Sequence, residues 1–367
     1  MRRLLYSGIV GAVVFVAAAF LALFFFIDIV DELADIGPRG YTAFHALLYC
    51  LLLVPGHHYE LAPIAVLIGG IYALSRLAQS SEFTILRTGG LGPQRALSML
   101  AQLGLAFAAV TFVVGDYLAP LSERQAALMH ARFSGNLRLE GAGGWMKDRL
   151  MTPDGEHSYS VRIGSASAAG ALTDVRLYEF DADGRLVART SAPTGWIGDD
   201  ATWRLRDATV THWRAASADG VPAVRDERVA EVVWHGTLSQ KVVSAAILPL
   251  TTMSTIDLLR YIGHLTDNEQ AAQRHEVQFW KRALYPFACM VMVALALPFA
   301  YLHARAGGIG LKVFGGIMLG ISFVLLNNVA GHLGLLRDWT PWLVAAAPSA
   351  LYLLLSLTAF GWLVRYR

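Results

Sequence analysis

The sequence predicts an α-helical membrane protein of six transmembrane helices, three plus three, with an all-β, jellyroll-like domain inserted between the third and the fourth. Three observations predict it. The chain is 55% hydrophobic and only 16% charged over 367 residues, well short of the roughly 25% charge of a soluble domain. Of its 30 basic and 28 acidic residues, 39 lie between Glu123 and Arg282. Outside that stretch, six apolar segments, at 5–27, 58–78, 96–118, 283–302, 309–331 and 341–364, each reach the roughly 20 residues that a bilayer core of about 30 Å requires.

The first span follows Met1-Arg2-Arg3 and stays apolar from Leu4 to Ile27. Ala17 to Ala19 mimic a cleavage site, but the run exceeds the roughly 7–15 residues of a signal-peptide core, so it reads as an uncleaved span. Thr42 to Val54 is apolar but too short to cross, and it stops at Pro55-Gly56; it reads as an interfacial or re-entrant elbow. The basic residues Arg2 and Arg3, then Arg76, Arg87 and Arg95, then Arg305 and Lys312, then Arg365 and Arg367 all fall on one side when six spans are counted. The positive-inside rule makes that side cytoplasmic. The acidic run Asp28, Asp31, Glu32 and Asp35 and the whole insert lie opposite.

The insert reads as β-structure. Val175–Phe180 and Arg185–Arg189 flank Asp181-Ala182-Asp183-Gly184, and Gly195–Ile197 and Thr202–Arg206 flank Gly198-Asp199-Asp200, both hairpin signals. Ser158–Ile163 and Arg228–Trp234 add short alternating runs, and strands at such spacing suggest a sandwich or jelly roll. Helical connectors are expected over Ser122 to Phe133 and Ser254 to Gln278. The division is 1–121, three spans with a short cytoplasmic helix at about 80–88; 122–278, the β-domain with its connectors; and 279–367, three spans.

A net charge of +2 gives no case for nucleic acid. Cys50 and Cys289, the only cysteines, both sit in apolar stretches, which excludes a disulfide framework or a paired-cysteine metal site. No G-x-x-x-x-G-K-[ST] loop occurs, so the chain has no P-loop for ATP. His157, Ser158 and Asp154 could compose a hydrolase, and His57 and His58 a metal site, but neither group has a spacing that fixes geometry.

Three segments carry more. In Leu77–Gly90, Ser80 or Ser81 can cap a short helix, Glu82 falls in its first turn, and Gly89-Gly90 stop it. Its Phe83, Ile85, Leu86 and Arg87 need something to dock into, either the bundle or a cytosolic partner. In span five, Gly315, Gly316 and Gly320 permit close helix approach, and Asn327 and Asn328 are costly unless they face protein or water. A mobile gate and a static packing interface both fit. Where spans three and four meet the insert, Arg124, His130, Arg132, Lys281 and Arg282 can form a basic ring suited to lipid phosphate. Snorkelling, or pairing with Glu123, Glu276 and Asp116, is the plainer use of the same residues.

In their order, these segments resemble the LptF/LptG family of lipopolysaccharide export permeases, its LptG branch more closely. The resemblance rests on Leu77–Glu82 with Gly89-Gly90, Ala119-Pro120, Gly144–Asp148, Leu177–Phe180, Gly320–Phe323 and Pro348–Ala350, and it covers nearly the whole chain. It implies a non-catalytic half-transporter of a Gram-negative inner membrane, with both termini cytoplasmic and the β-domain periplasmic. It also implies an LptF-like sister permease, an LptB-like ATPase dimer, an LptC-like protein and a periplasmic bridge. Lipopolysaccharide would be the cargo; ATP and Mg would be used by the ATPase and no cofactor held by this chain. Residues 80–87 would then be the ATPase-coupling helix and span five the gate helix. The chain departs from the family where lysines often follow span one, holding Asp28, Asp31, Glu32 and Asp35 instead. A non-transporting mechanotransmitter with a protein-binding outer domain is the alternative, distinguished by whether the β-domain's apolar interior is an open trough or closed.

Overall fold

The computed structural model describes residues 2–37, 40–80, 88, 92–134, 144–152, 155–166, 171–198, 200–214, 223–240, 242–243, 253–267, 272–301 and 308–365. The chain divides into two compact units, Met1–Met129 with Glu276–Arg367, and His130–His275.

The first unit is helical: α1 (Arg2–Glu32), α2 (Ala43–Gln79), α3 (Pro93–Val113), a π-helical turn (Val114–Leu118) running into α4 (Ala119–Ser134), α6 (Gln273–Tyr301), α7 (Ile309–Leu336) and α8 (Pro341–Arg365). Among the described residues, six helical stretches are long and apolar enough to cross a membrane. One expectation is corrected: residues 42–54 are no elbow but the start of α2, which runs unbroken through Pro55 and Pro63. The helix begins at a capping box, in which Thr42 Oγ1 and His45 Nδ1 lie 2.8 Å apart and the Thr42 N–H reaches the same ring nitrogen at 3.2 Å. Proline removes one helical hydrogen bond at a cost of about 3 kcal/mol. In a helix of 37 residues flanked by other helices, that loss is tolerated.

Glycine sets the closest approaches. A Cβ at Gly69 would stand 2.6 Å from the Val13 Cα, so α1 and α2 touch backbone to backbone there; one at Gly104 would stand 3.0 Å from the Met290 Cα of α6. The core threads Ile9 and Val13 of α1, Leu67, Ile71 and Leu74 of α2, Met99 and Leu103 of α3, Met292 and Ala296 of α6, and Phe323 of α7. Both cysteines are reduced and buried, Cys289 within 3.4 Å of Thr111 Oγ1.

The second unit carries the all-β insert and α5 (Thr255–Asp267). Its strands β1 (Gly144–Thr152), β2 (Gly155–Ala166), β3 (Ala171–Phe180), β4 (Leu186–Ile197), β5 (Thr202–Arg214) and β6 (Ala223–His235) form one antiparallel sheet in sequence order. Each described strand pairs with its neighbour in the chain, so the topology is a meander, with none of the non-consecutive pairings that a Greek-key jelly roll contains among the described residues. Both hairpin signals are turns: Asp181 Oδ1 accepts the Asp183 and Arg185 N–H groups, and the Gly198 N–H bonds the Thr202 carbonyl at 2.9 Å.

A crease crosses this sheet. The ladders skip Gly164, Asp174, Pro193 and Asp207 at one level, and Asp174 and Asp207 take φ of 45° and 53°. Burial consequently steps by three residues instead of two, from Leu172 to Val175 and from Leu205 to Ala208. Unpaired residues of this kind bend a sheet. Pro193, with no N–H to give, suits the one row where no ladder bond is made.

The core face packs Met146, Val161, Ile163, Val175, Leu177 and Trp203, and the chain after β6 folds back over it, with Leu238 and Val243 fully buried there. Asp148 fastens that return by accepting the Thr237 N–H at 2.7 Å and the Thr237 hydroxyl at 2.5 Å, while the Trp203 indole donates to the Leu238 carbonyl at 3.0 Å.

Candidate functional site

A belt of polar side chains crosses the helical unit at one level, and the residues of the expected basic ring fall into it unequally. Its anchor is Arg282. The side chain is 7% exposed, with Nε 3.9 Å from Asp116 Oδ1, its carbon Cζ 5.6 Å above the Tyr59 ring, and Nη2 donating to the Gly115 carbonyl.

The sequence explains why that carbonyl is available. In a π-turn each N–H bonds the carbonyl five residues back, and five residues after Gly115 stands Pro120, which has no N–H. Arg282 replaces the missing donor. Gly115 also lacks a Cβ because the Tyr59 ring fills that space, 2.1 Å from where one would stand. Tyr59 packs against Tyr285, ring centroids 4.8 Å apart and tilted by 46°, and Tyr285 donates to the Glu60 carbonyl at 2.5 Å. Three elements, α2, the π-turn and α6, are thus locked by one guanidinium. It is a structural lock, already committed to these partners, and does not face outward with the other cations.

Lys281 precedes it by one residue, and a helix turns about 100° per residue. Its ammonium accordingly emerges on the α7 side, over Gly331, where a Cβ would lie 2.1 Å from Nζ. Lys281 is half-buried and meets no carboxylate among the described residues. One turn along the same face of α7, Asn327 buries a side-chain carbonyl that has no partner among the described residues. The α6–α7 seam thus holds an ammonium and an amide carbonyl, both uncommitted among the described residues, the groups that a phosphate and a hydroxyl would engage.

The remaining members divide. Arg124 is half-buried on α4. His130 belongs to the second unit, and the Arg132 side chain lies outside the described residues. The acids at the end of α1 are partly spent: His57 Nε2 lies 2.8 Å from Asp28 Oδ2, with Phe24 against the ring at 5.1 Å, and Tyr41 donates to Glu32 at 2.6 Å. Burial first, and that carboxylate second, push the Tyr41 hydroxyl above its ordinary value. A metal site on His57 and His58 is not assembled among the described residues, where His57 Nε2 is taken by Asp28. The Glu123 carboxylate rests on Gly56, where a Cβ would stand 2.1 Å from Oε1.

Of the expected gate residues, Gly316 and Gly320 are used in packing against α2: their Cβ positions lie 2.6 Å from Ile71 Cδ1 and 3.1 Å from Ile64 Cγ2. Gly315 faces open space. Asn328 lends its main-chain carbonyl to His332 Nδ1 at 2.8 Å. Next along α7, Ser322 meets the Tyr352 hydroxyl of α8 at 2.5 Å. Ser80 ends α2, its hydroxyl donating to the Leu77 carbonyl at 3.3 Å. Ser81, Glu82, Phe83, Ile85, Leu86 and Arg87 lie outside the described residues.

In the β-domain the hydrolase arrangement does not form. His157 Nδ1 is held by Glu179 at 2.7 Å, which also accepts from the Tyr159 hydroxyl at 3.0 Å. Ser158 is on the opposite face of the strand, as strand alternation requires, and Asp154 lies outside the described residues. Burial, reinforced by Glu179, raises the Tyr159 hydroxyl, which therefore stays protonated.

Six apolar helices, with a six-stranded sheet placed between the third and the fourth in chain order, agree with the family that comparison with known proteins finds. The family profile described as lipopolysaccharide export system permease LptF/LptG matches residues 3–363. The chain belongs to the LptF/LptG family. Similar relatives within it are the lipopolysaccharide export system permease protein LptG of Escherichia coli K12, 25% identical over 90% of this chain and 89% of that protein, and the LptG of Haemophilus influenzae, 25% identical over 97% of this chain and 96% of that protein. LptF/LptG membership accounts for the order of parts, three spans, sheet, three spans. It makes the chain a permease subunit, for which no catalytic group is needed.

Proposed function

We propose that this chain is the LptG-type half of an ATP-driven extractor that lifts lipopolysaccharide from the outer leaflet of the Gram-negative inner membrane and hands it to a periplasmic bridge. The observation that carries the reading is the family match across residues 3–363 on a chain whose sheet is inserted between two groups of three apolar helices. An LptF-like sister permease completes the cavity, an LptB-like ATPase dimer drives it with ATP and Mg, and an LptC-like protein receives the lipid. Residues 80–87 couple the ATPase to the bundle. Closure of the ATPase narrows the cavity along spans one, two and five, and acyl chains leave upward into the β-domain.

Within that scheme Lys281, with Arg124, addresses headgroup phosphate, and Arg282 holds the helices that carry Lys281. Glu82→Arg or Phe83→Asp is expected to abolish lipid release from a reconstituted assembly while leaving the helical fold intact. Release at the parental rate, with the ATPase still co-purifying, rejects the coupling role.

One observation favours the second reading, a mechanotransmitter whose outer domain binds protein: Leu238 and Val243 close over the apolar face of the sheet. A photo-crosslinking residue at Leu177 decides between them. Acyl-chain adducts that grow with ATP support the export path; protein adducts alone support the transmitter.

A further inference from the structure

The face of the sheet opposite its core concentrates positive charge around exposed aromatic rings. Strand alternation puts Trp145, Arg162, Arg176, Tyr178 and Arg189 on this face, since Met146, Val161, Val175 and Leu177 point into the core. The register sets Trp145, Arg162, Arg176 and Ser191 in one row across β1–β4, and Lys147, Ser160, Tyr178 and Arg189 in the next. Arg162 and Arg176 are thus direct cross-strand neighbours, about 5 Å apart at Cβ, where like charges destabilise a sheet. Arg176 finds Asp174 at 3.2 Å. Arg162 finds no acceptor among the described residues, and its Nε is buried without a partner. Beside it Trp145 is 53% exposed, its ring 5.7 Å from Tyr178 and tilted by 31°.

A sheet selected for stability alone places threonine or valine at such positions. Two arginines that repel, one lacking a counter-charge, next to an exposed indole, make sense when the acceptor comes from outside. The donors are forked guanidinium groups, which match phosphate or carboxylate oxygens in pairs. They lie in mid-sheet rather than along a free edge, where an acidic peptide would add its own backbone bonds. A flat aromatic surface beside paired anion donors fits a sugar ring that bears a phosphate or carboxylate.

We propose that this face of β1–β4 binds an anionic saccharide, with Arg162 and Arg176 on its phosphate and Trp145 with Tyr178 against its ring. It rests on the export reading only in naming the glycan of the exported lipid as the source; a free oligosaccharide presents the same chemistry.

The test uses the full chain with its co-purified partners in nanodiscs. The probe is deacylated, phosphorylated core oligosaccharide, with its enzymatically dephosphorylated form as control. The parent is expected to bind the phosphorylated probe, more weakly as salt rises. The Arg162→Ser/Arg176→Ser pair is expected to bind at least about tenfold more weakly, as is the parent to the dephosphorylated probe. The double variant is also expected to melt no lower than the parent, since a like-charge pair is removed. Equal binding by the double variant, or undiminished binding of the dephosphorylated form, overturns the proposal. So does a parent that binds neither probe but loses a co-purifying protein in the double variant, which would mark an acidic protein as the occupant. A glycan-free lipid A arm separates the two readings. Its release by the double variant supports a glycan-specific surface, and its failure in the parent counts against export while leaving the oligosaccharide result standing.

Discussion

The two inner spans and the two outer ones differ in the opposite sense from a soluble protein. The most apolar windows of α2 and α6 are 72% and 61% buried, whereas those of α1 and α7 are 17% and 22% buried, although α1 and α7 are the more apolar pair. In water the greasiest element goes inside; here the inner helices carry prolines, tyrosines and a charge, Pro55, Pro63 and Tyr59 in α2, Arg282, Tyr285, Pro286 and Pro298 in α6. Lipid solvates leucine as well as protein does, so hydrophobicity gives no inward drive. What must be enclosed is whatever lipid cannot satisfy, namely free carbonyls and charges.

If that is the organising rule, removing the inner charge is the heaviest blow. Arg282→Ala leaves Asp116 without this counter-charge and the Gly115 carbonyl without its donor, and about 3–5 kcal/mol of stability is expected to go with it, read as loss of the folded assembly in detergent melting. Arg282→Met with Asp116→Leu is expected to recover most of that loss, because replacing both partners removes the desolvation cost along with the attraction.

Close contact comes next. Gly69→Ala drives a methyl into the Val13 backbone and is expected to cost about 1–3 kcal/mol. Gly11→Ala, on α1 with nothing within 4 Å, is expected to stay within about 0.5 kcal/mol of the parent. A similar cost for both glycines would dissolve the distinction between inner and outer surfaces. The mildest change is Tyr352→Phe, which gives up the Ser322 bond for about 0.6 kcal/mol in the same melts.

The spans and hairpins are legible because length and alternation are properties of a local window: 20 apolar residues, or Asp-Ala-Asp-Gly between two alternating runs, need no knowledge of the rest. Residues 42–54 are misread because Pro55 counts locally as a stop, while the cost it imposes is shared by the whole of α2. Lys281 and Arg282 look equivalent in sequence, being adjacent and both basic. What separates them is the turn of the helix, together with an acceptor at Gly115 that depends on Pro120. That signal was present in Ala119-Pro120 and is readable once a π-turn is considered. The crease left a similar trace, in Gly164 and Pro193 within otherwise alternating runs, but a single strand cannot show that its irregularity lines up with those of its neighbours. The cover formed by Leu238 and Val243 is a long-range contact, invisible to any window.

The central claim is that the chain works as one half of a lipid extractor, and isolation from its native membrane tests it most directly. Solubilised gently and weighed intact by native mass spectrometry, the chain is predicted to appear with one sister permease, two copies of an ATPase and bound lipopolysaccharide. A particle holding only copies of this chain, with neither ATPase nor lipid, would contradict it.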